Sequence, residues 1–425
     1  MKNKKILVQK TFHLYPQKYQ ISLSLKFQNL SEKKQNFEYR LNGPCGIAPE
    51  ETFYIRLQGY IAKKNGDDSP LDLTFLSDSS LKESSPVYQE SFKNISWVGV
   101  GNKYFAGLLY PNNIPSRVGG IGHFEMPHIK GRKKEYSLYS FFVPRGLDLP
   151  PKDPKEESYL IYIGPKDPKI LEHYQQEGFD QVISYGWWIF AVFTKLFLAI
   201  LKFFYFHIYP NYGLAIIFLT FLVKLCLLPL DYKAQKSMMM MQKLQPKMAA
   251  IQKKYKGKKG AENMQKQQQE IMQLYQEHGV NPLGGCLPML LQLPVFIGLY
   301  QAFNMDISLR QASFFGWIKD LSMPDSLVTF AEPVHFLFFT FGGIHILPMI
   351  MVVLMVVQQM LQPKTDDPQQ QQQRKMFMFM MVFMGLIFYN FPSGLVLYFI
   401  CQSLVSLAEQ KIIQRKLKAA EEGVS

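Results

Sequence analysis

The residue in this chain best placed to do chemistry is a lysine where a charge is costly. Lys224 sits inside residues 213–230, GLAIIFLTFLVKLCLLPL, a run with no other charged side chain. As a helix the run extends about 27 Å, close to the roughly 30 Å hydrocarbon thickness of a bilayer. Thr220 lies one turn earlier on the same face. A lysine at that depth either engages a polar group passing through the membrane or carries its ammonium to the headgroups on its long stem. Both readings are open at this point. Enzyme chemistry has less support. No His-Glu-x-x-His pattern occurs, and His345, alone in an apolar run, reads as a packing or hydrogen-bonded residue. Of four cysteines, Cys226, Cys286 and Cys401 fall in apolar runs and Cys45 stands apart, which gives neither a zinc spacing nor a disulfide framework. No catalytic residue, metal or cofactor is expected.

The elements that must position Lys224 follow from composition. The chain has 425 residues, 48% of them hydrophobic, and a formal net charge of +14. Up to about residue 180 it is mixed and polar, and beyond that apolar runs dominate, the pattern of a soluble domain followed by a membrane domain. Much of the positive charge lies in loops beside apolar runs, so membrane topology accounts for it better than nucleic acid does. The start, MKNKKILVQK, is basic but lacks the apolar core of a signal peptide. Strand-like pattern begins almost at once, as though the chain started inside a domain.

In YQISLSLKFQN, Ile21, Leu23, Leu25 and Phe27 alternate with Ser22, Ser24, Lys26 and Gln28, the period of a half-buried strand. TFYIRLQGYI, SWVGVGNKYFAGLLY, KEYSLYSFFV and SYLIYI are further candidates, separated by turn signals at 65–68 and 111–113. Together they predict an antiparallel β-sandwich over 1–178, with a binding or spacer role. In residues 185–209, Lys195 and Lys202 share one helical face amid aromatics. The segment 179–210 therefore predicts a connector and an amphipathic helix lying in the interface, its lysines toward the headgroups. Residues 211–413 predict a membrane α-helical bundle of five spans, at 213–230, 283–303, 336–361, 376–391 and 393–410, ahead of a basic tail at 414–425.

Between the first two spans, residues 231–281 carry ten lysines against four carboxylates, which places them in the cytoplasm and the β domain outside. Leu244, Met248, Ile251 and Tyr255 follow helical spacing, as do Met264, Gln268, Ile271 and Tyr275, and Gly257-Lys258-Lys259-Gly260 separates the two sets. The pattern predicts an antiparallel helical hairpin. The run Met238–Met241 adds a flexible apolar surface suited to adaptable binding. A hairpin that only seals its own seam is the alternative. The span at 376–391 covers only about 24 Å as a helix, so the bilayer is expected to thin there. Polar groups of the first span, with Gln292, Gln402 and Ser403, would then line a wet cavity that does not cross the membrane. Hydrogen bonding between helices is the competing reading.

Several blocks coincide with one family. LQPK at 244–247, NPLGGC at 281–286, LLQLPVFIGLY from Leu290 and FPSGLVLY at 391–398 resemble the YidC-type membrane protein insertases of the YidC/Oxa/Alb family. The likeness runs from Tyr185 to the tail, and the β half is similar to the later part of that family's periplasmic domain. The resemblance implies five conserved spans in the bacterial inner membrane, around a hydrophilic groove open to cytoplasm and lipid and closed outward, with a periplasmic β domain and a cytoplasmic C-terminus. It implies that a basic residue of the first span, usually arginine and here Lys224, attracts the polar part of an incoming chain. Lysine keeps the point charge without the planar fork. Thr220, Gln292, Tyr398 and Gln402 match groove-side positions, with Ser403 added from the cavity reading above. A tryptophan found before the FPSG block in some members is replaced by Asn390.

The same resemblance implies that the hairpin and the basic tail meet the signal recognition particle, its receptor and the ribosome. The candidate hairpin contacts are Met238, Met241, Leu244, Lys247, Met248, Lys258 and Lys259. Nascent membrane proteins, the Sec translocon and the lipid bilayer are the other implied partners. Gram-negative members carry a signal-anchor span and the first part of the β domain ahead of the point where this chain begins. The sequence is therefore expected to be a C-terminal portion, a mis-assigned start or the product of a split gene. The function expected is insertion of nascent transmembrane segments, alone or with the Sec translocon, without nucleotide or covalent chemistry. Burial of the segment in lipid, at about 25 cal/mol per Å², would drive it. A polytopic transporter or channel with a buried lysine is the alternative, and it would usually show inverted repeats, which are not found.

Overall fold

The computed structural model describes residues 5–422 apart from 46–56, 65–69, 78–86, 91–94, 126–135, 280–286, 337–338, 362–367 and the single positions 184, 186, 256, 258 and 259. The turn expected at 65–68, the NPLGGC block and Lys258 and Lys259 lie outside the described residues. The chain divides into two compact units, Met1–Ser184 and Tyr185–Ser425.

The first unit is antiparallel β structure. Its larger sheet has the order β1-β2-β13-β9-β8-β5-β6, formed by Ile6–Tyr15, Gln20–Asn29, Lys155–Pro165, Phe105–Pro111, Ile95–Gly101, Gln58–Lys64 and Leu71–Ser77. Its smaller sheet has the order β4-β11-β10-β7, from Leu41–Cys45, Tyr136–Pro144, Ser116–Glu125 and Val87–Glu90. Short strands β3 (Gln35–Phe37) and β12 (Leu147–Leu149) pair beside them. Alternation in β2 works as the pattern requires: Leu23, Leu25 and Phe27 are buried while Lys26 is exposed. These side chains, with Ile61, Val98, Val100 and Leu109, meet Ile121, Leu138 and Phe142 of the smaller sheet. The sheets approach closely at Gly59, where a Cβ would lie 2.7 Å from the Ile121 side chain.

The opposite face of the larger sheet is covered as well. Short helical turns at Pro168–Leu171, Glu172–Tyr174 and Phe179–Val182 place Leu171, Tyr174, Phe179 and Val182 over Tyr60, Trp97, Leu108 and Tyr162. A polar group is trapped beside this second core. The Lys166 Nζ lies 2.5 Å from the Tyr60 hydroxyl and 3.4 Å from Gln58 Oε1. Burial pushes its ammonium down to about 7, because leaving water disfavours the charged form.

The second unit is helical. Its helices are α1 (Trp188–His207), α2 (Tyr212–Lys243), α3 (Gln245–Tyr255), α4 (Ala261–Glu277), α5 (Leu287–Met305), α6 (Ile346–Met360), α7 (Pro368–Phe388) and α8 (Ser393–Glu422). Three of them, over Trp188–His207, Tyr212–Met241 and Ser393–Ile413, are long and apolar enough to cross a membrane. One core joins them: Phe197 and Leu201 of α1, Ile216 and Leu219 of α2, Leu299 and Phe303 of α5, Met351 of α6 and Val396 and Tyr398 of α8. Exposed apolar side chains such as Phe221 and Leu225 of α2, Val353 of α6 and Phe379 and Phe383 of α7 face outward, as lipid contact requires.

One expected span is corrected. The run 336–361 is not one helix. Strands β14 (Val328–Phe336) and β15 (Phe339–Ile344) form an antiparallel hairpin, and only Ile346–Met360 is helical. Gly342 and Gly343, poor helix formers, sit where the strand ends, and a Cβ at Gly343 would meet the Val328 carbonyl at 2.3 Å. Asp325 then starts the helix from a distance. Its Oδ2 accepts from Ile346 N at 2.8 Å, Leu347 N at 3.0 Å and Trp317 Nε1 at 3.0 Å. The two backbone groups are orphan donors of a helix N-terminus, which favours an anion, and the third is the Trp317 indole. His345 lies beside it, its Nδ1 against the Asp325 carbonyl and its backbone N–H donating to the Tyr389 hydroxyl at 3.2 Å.

The lysines of α1 do not share one environment either. Lys195 is exposed and stands 4.9 Å from the Tyr185 ring centroid. Lys202 pairs with the buried carboxylate of Asp306 at 3.1 Å, so it points to protein and not to headgroups. A buried acid at the end of α5 needs a cation, and Lys202 supplies it.

Two outcomes follow from these networks. Asp325→Ala strands three donors and should destabilise the chain by about 2–4 kcal/mol, read as a lowered melting temperature in detergent. For Lys166, the unfolded chain holds the proton up to its ordinary value of 10.5, whereas the folded chain releases it near 7. The unfolded state binds more protons over that window, so stability rises with pH between those limits. Lys166→Met should therefore stabilise the chain most below about pH 7, with the gain shrinking toward about pH 10, measured by unfolding at graded pH.

Candidate functional site

Lys224 is buried in α2, and its charge is met from two sides. Nζ lies 3.0 Å from Asp231 Oδ2 and 3.1 Å from Glu409 Oε2, with side-chain exposures of 8% for the lysine and 13% for each carboxylate. Asp231 is seven residues further along α2, nearly two full turns, so the two side chains fall on one stripe. Glu409 comes from α8, which packs along α2. Between Lys224 and Asp231 stands Pro229, which lacks the N–H that would pair with the carbonyl of Leu225. The ammonium is thus paired on two sides and largely withdrawn from solvent.

A second polar cluster lies on the same face of α8. Tyr398, Gln402 and Glu409 are spaced by four and seven residues, which aligns them along one stripe. Gln292 of α5 donates to Gln402 Oε1 at 3.0 Å and to the Tyr398 hydroxyl at 3.3 Å. Tyr398 is fully buried and Ser403 nearly so. Thr220 is buried too, but its hydroxyl donates to the Ile216 carbonyl at 2.8 Å, inside its own helix. Of the expected groove residues, then, Gln292, Tyr398 and Gln402 come together, while Lys224 joins two acids that pattern reading did not single out. By pattern Asp231 is one carboxylate at the start of a lysine-rich loop. Glu409 could have been found as the one carboxylate in Ser393–Ile413, in register with Tyr398 and Gln402.

Beyond Gln292 the site closes. Phe296 and Tyr300 follow it one and two turns along α5, and Phe388, Phe391 and Phe399 fill the space against them. Phe296 lies 5.8 Å from Phe399, Tyr300 lies 5.2 Å from Phe391, and Phe388 lies 4.7 Å from Phe391. Polar side chains thus give way to a packed aromatic layer. The start of α8 is fixed beside it: Ser393 N donates to the Met323 carbonyl at 2.7 Å, Gly394 N to Leu321 at 2.9 Å, and Ser393 Oγ to Asp320 at 2.7 Å.

The helical hairpin continues α2. Lys247 contacts His278 at 2.8 Å and Lys254 pairs with Glu270 at 2.6 Å, so α3 and α4 run antiparallel. Gly257 and Gly260 take the left-handed backbone at φ 90° and 131° that the turn needs. Leu244 and Met248, expected among the partner contacts, are buried in the seam with Leu274. Met241 packs against that seam, and Met238 is half-buried on α2. Lys247 remains exposed.

Known proteins resemble this sequence. A family described as 60Kd inner membrane protein matches residues 203–421, and one described as YidC periplasmic domain matches residues 1–200. A protein named membrane protein insertase YidC from Syntrophobacter fumaroxidans is 34% identical over 416 residues, covering 97% of this chain and 69% of the relative. Its namesake from Geobacter metallireducens is 37% identical over 332 residues, covering 78% of this chain and 55% of the relative. The chain thus matches little more than half of the second relative's length.

The Lys224 cluster predicts its own energetics. Lys224→Met leaves two adjacent buried carboxylates and should cost about 3–5 kcal/mol, whereas adding Asp231→Asn and Glu409→Gln should recover most of it. Thermal unfolding of the purified variants in detergent checks both.

Proposed function

The chain belongs to the 60Kd inner membrane protein family, that of the YidC insertases, and from that premise we propose that it moves nascent transmembrane segments from the cytoplasm into the lipid of the inner membrane. The observation that carries the proposal is the polar stripe of α8, which joins Gln292, Tyr398, Gln402 and Glu409 to a buried lysine within an apolar bundle. Polar groups in such a place are costly and mark the path of a polar cargo.

In this mechanism α2, α5, α6, α7 and α8 span the membrane and α1 lies at its interface. The β unit is periplasmic and the C-terminus cytoplasmic. The polar groove, with Lys224, Thr220, Gln292, Tyr398, Gln402 and Ser403, opens toward the cytoplasm and lipid, and the aromatic layer of Phe296, Tyr300, Phe388 and Phe391 closes it outward. Two short helices support local thinning of the bilayer. Ile346–Met360 and the apolar part of α7, from Met376 to Phe388, give about 22 Å and 20 Å, well under the hydrocarbon thickness. Short spans draw the headgroups inward and shorten the apolar barrier.

An incoming segment arrives at the lysine-rich hairpin, whose exposed Lys247, with Lys258 and Lys259, suits acidic or phosphate-bearing partners such as a ribosome or a targeting particle and its receptor. Its polar flank enters the groove near Lys224 while its apolar part slides along α5 and α7 into lipid. Transfer to lipid supplies the driving force, so no covalent step is required. The insertase works alone or with the Sec translocon.

The test is complementation of cells depleted of their own insertase, scored with a single-span reporter bearing an acidic outer flank. Lys224→Arg should keep insertion near the parent level, whereas Lys224→Ala and Lys224→Glu should lower it at least severalfold at equal protein level. Parent-level insertion by Lys224→Ala would remove the lysine from the mechanism.

A further inference from the structure

The groove lysine is not a bare cation. One ammonium stands between two carboxylates, each within hydrogen-bond distance and each largely withdrawn from water. With all three ionised, the cluster carries excess negative charge. A carboxylate on a substrate flank is therefore repelled by the cluster as a whole, however strongly it is drawn to Lys224 alone. The ammonium already gives two of its three N–H groups to carboxylates, so an entering carboxylate gains its full attraction by replacing one of them.

The two candidates for replacement differ in freedom. Asp231 shares α2 with Lys224, so their spacing is set by the helix itself. Glu409 reaches across from α8 and has one more methylene, so its contact can part by a rotamer change or a small shift between helices. It also stands at the C-terminal end of the stripe, so a polar flank entering from the cytoplasm would meet it before Gln402, Tyr398 and Gln292. Thr220, one turn before Lys224, has its proton committed to Ile216 and offers no competing donor.

Resting on the insertase reading above, we infer that Glu409 is an exchangeable counter-ion. It holds Lys224 while the groove is empty and gives up its place to an acidic side chain of the incoming segment. Glu409 thereby determines which polar flanks the groove accepts. Uncharged flanks enter without exchange, whereas acidic flanks enter only by displacing Glu409.

The experiment uses the full chain in insertase-depleted cells and two matched single-span reporters whose translocated flank carries aspartates or asparagines at the same positions. Protease accessibility of the flank gives the ratio of acidic to neutral insertion. Glu409→Gln keeps an acceptor for Lys224 but removes the competing charge, and it should raise that ratio severalfold over the parent. Glu409→Asp, which keeps the charge but shortens its reach, should move the ratio in the same direction, and it is the variant read if Glu409→Gln does not accumulate. An unchanged or lower ratio overturns the inference. So does an equal gain from Asp231→Asn, which would place the selection in total charge and not in exchange at Glu409. A parent that inserts both reporters while the ratio stays fixed leaves the insertase reading standing and removes only Glu409. A parent that inserts neither above the depleted background removes the insertase reading and this inference with it.

Discussion

The helical unit depends on how one buried ammonium is balanced. A lysine inside an apolar run must be neutralised, hydrated or carried to an interface, because an unpaired charge in low dielectric is worth far more than any single packing contact. Here Asp231 and Glu409 neutralise Lys224. That choice ties α2 to α8 electrostatically at the end where both helices turn from apolar to charged. It also converts a strong attractor into a site whose pull depends on what its partners do.

The other end of the unit is held by the opposite strategy. Asp325 gathers the first N–H groups of α6, and the Ser393-Gly394 start of α8 is stitched to the segment at 320–323 by three short hydrogen bonds. An aromatic layer fills the space between. Rigid packing at one end and exchangeable ion pairs at the other give the unit a polarity of stiffness that matches the direction of the proposed transport.

Much of this was legible from residue order alone, and the misses have physical causes. Strand alternation at Ile21–Phe27 and the glycine-bracketed turn at 257–260 announce themselves because each is a local pattern. Gln292 and Gln402 stood out as polar residues in apolar runs, and they do meet. Glu409 did not stand out, since it sits where α8 already turns polar, and a salt bridge to a residue 185 positions away has no local signature. Lys202 reads locally as a headgroup lysine because its partner, Asp306, lies beyond the end of another helix. The 336–361 run deceived for a different reason: hydrophobicity measures burial in lipid or protein equally well, and only Gly342-Gly343 hinted that part of it pairs as strands.

The unbroken length of α2 has a mechanical consequence. From Tyr212 to Lys243 it forms one rod whose far end carries the hairpin. A load applied to the hairpin acts on this rod as on a lever, and the missing backbone bond at Pro229 makes the stretch between Lys224 and Asp231 its most compliant point. Twisting the rod about its axis would sweep Lys224 past a stationary Glu409 while changing its spacing to Asp231 far less. A docking event at the hairpin end would in this way be felt as torque at the ion pair, along the same rod.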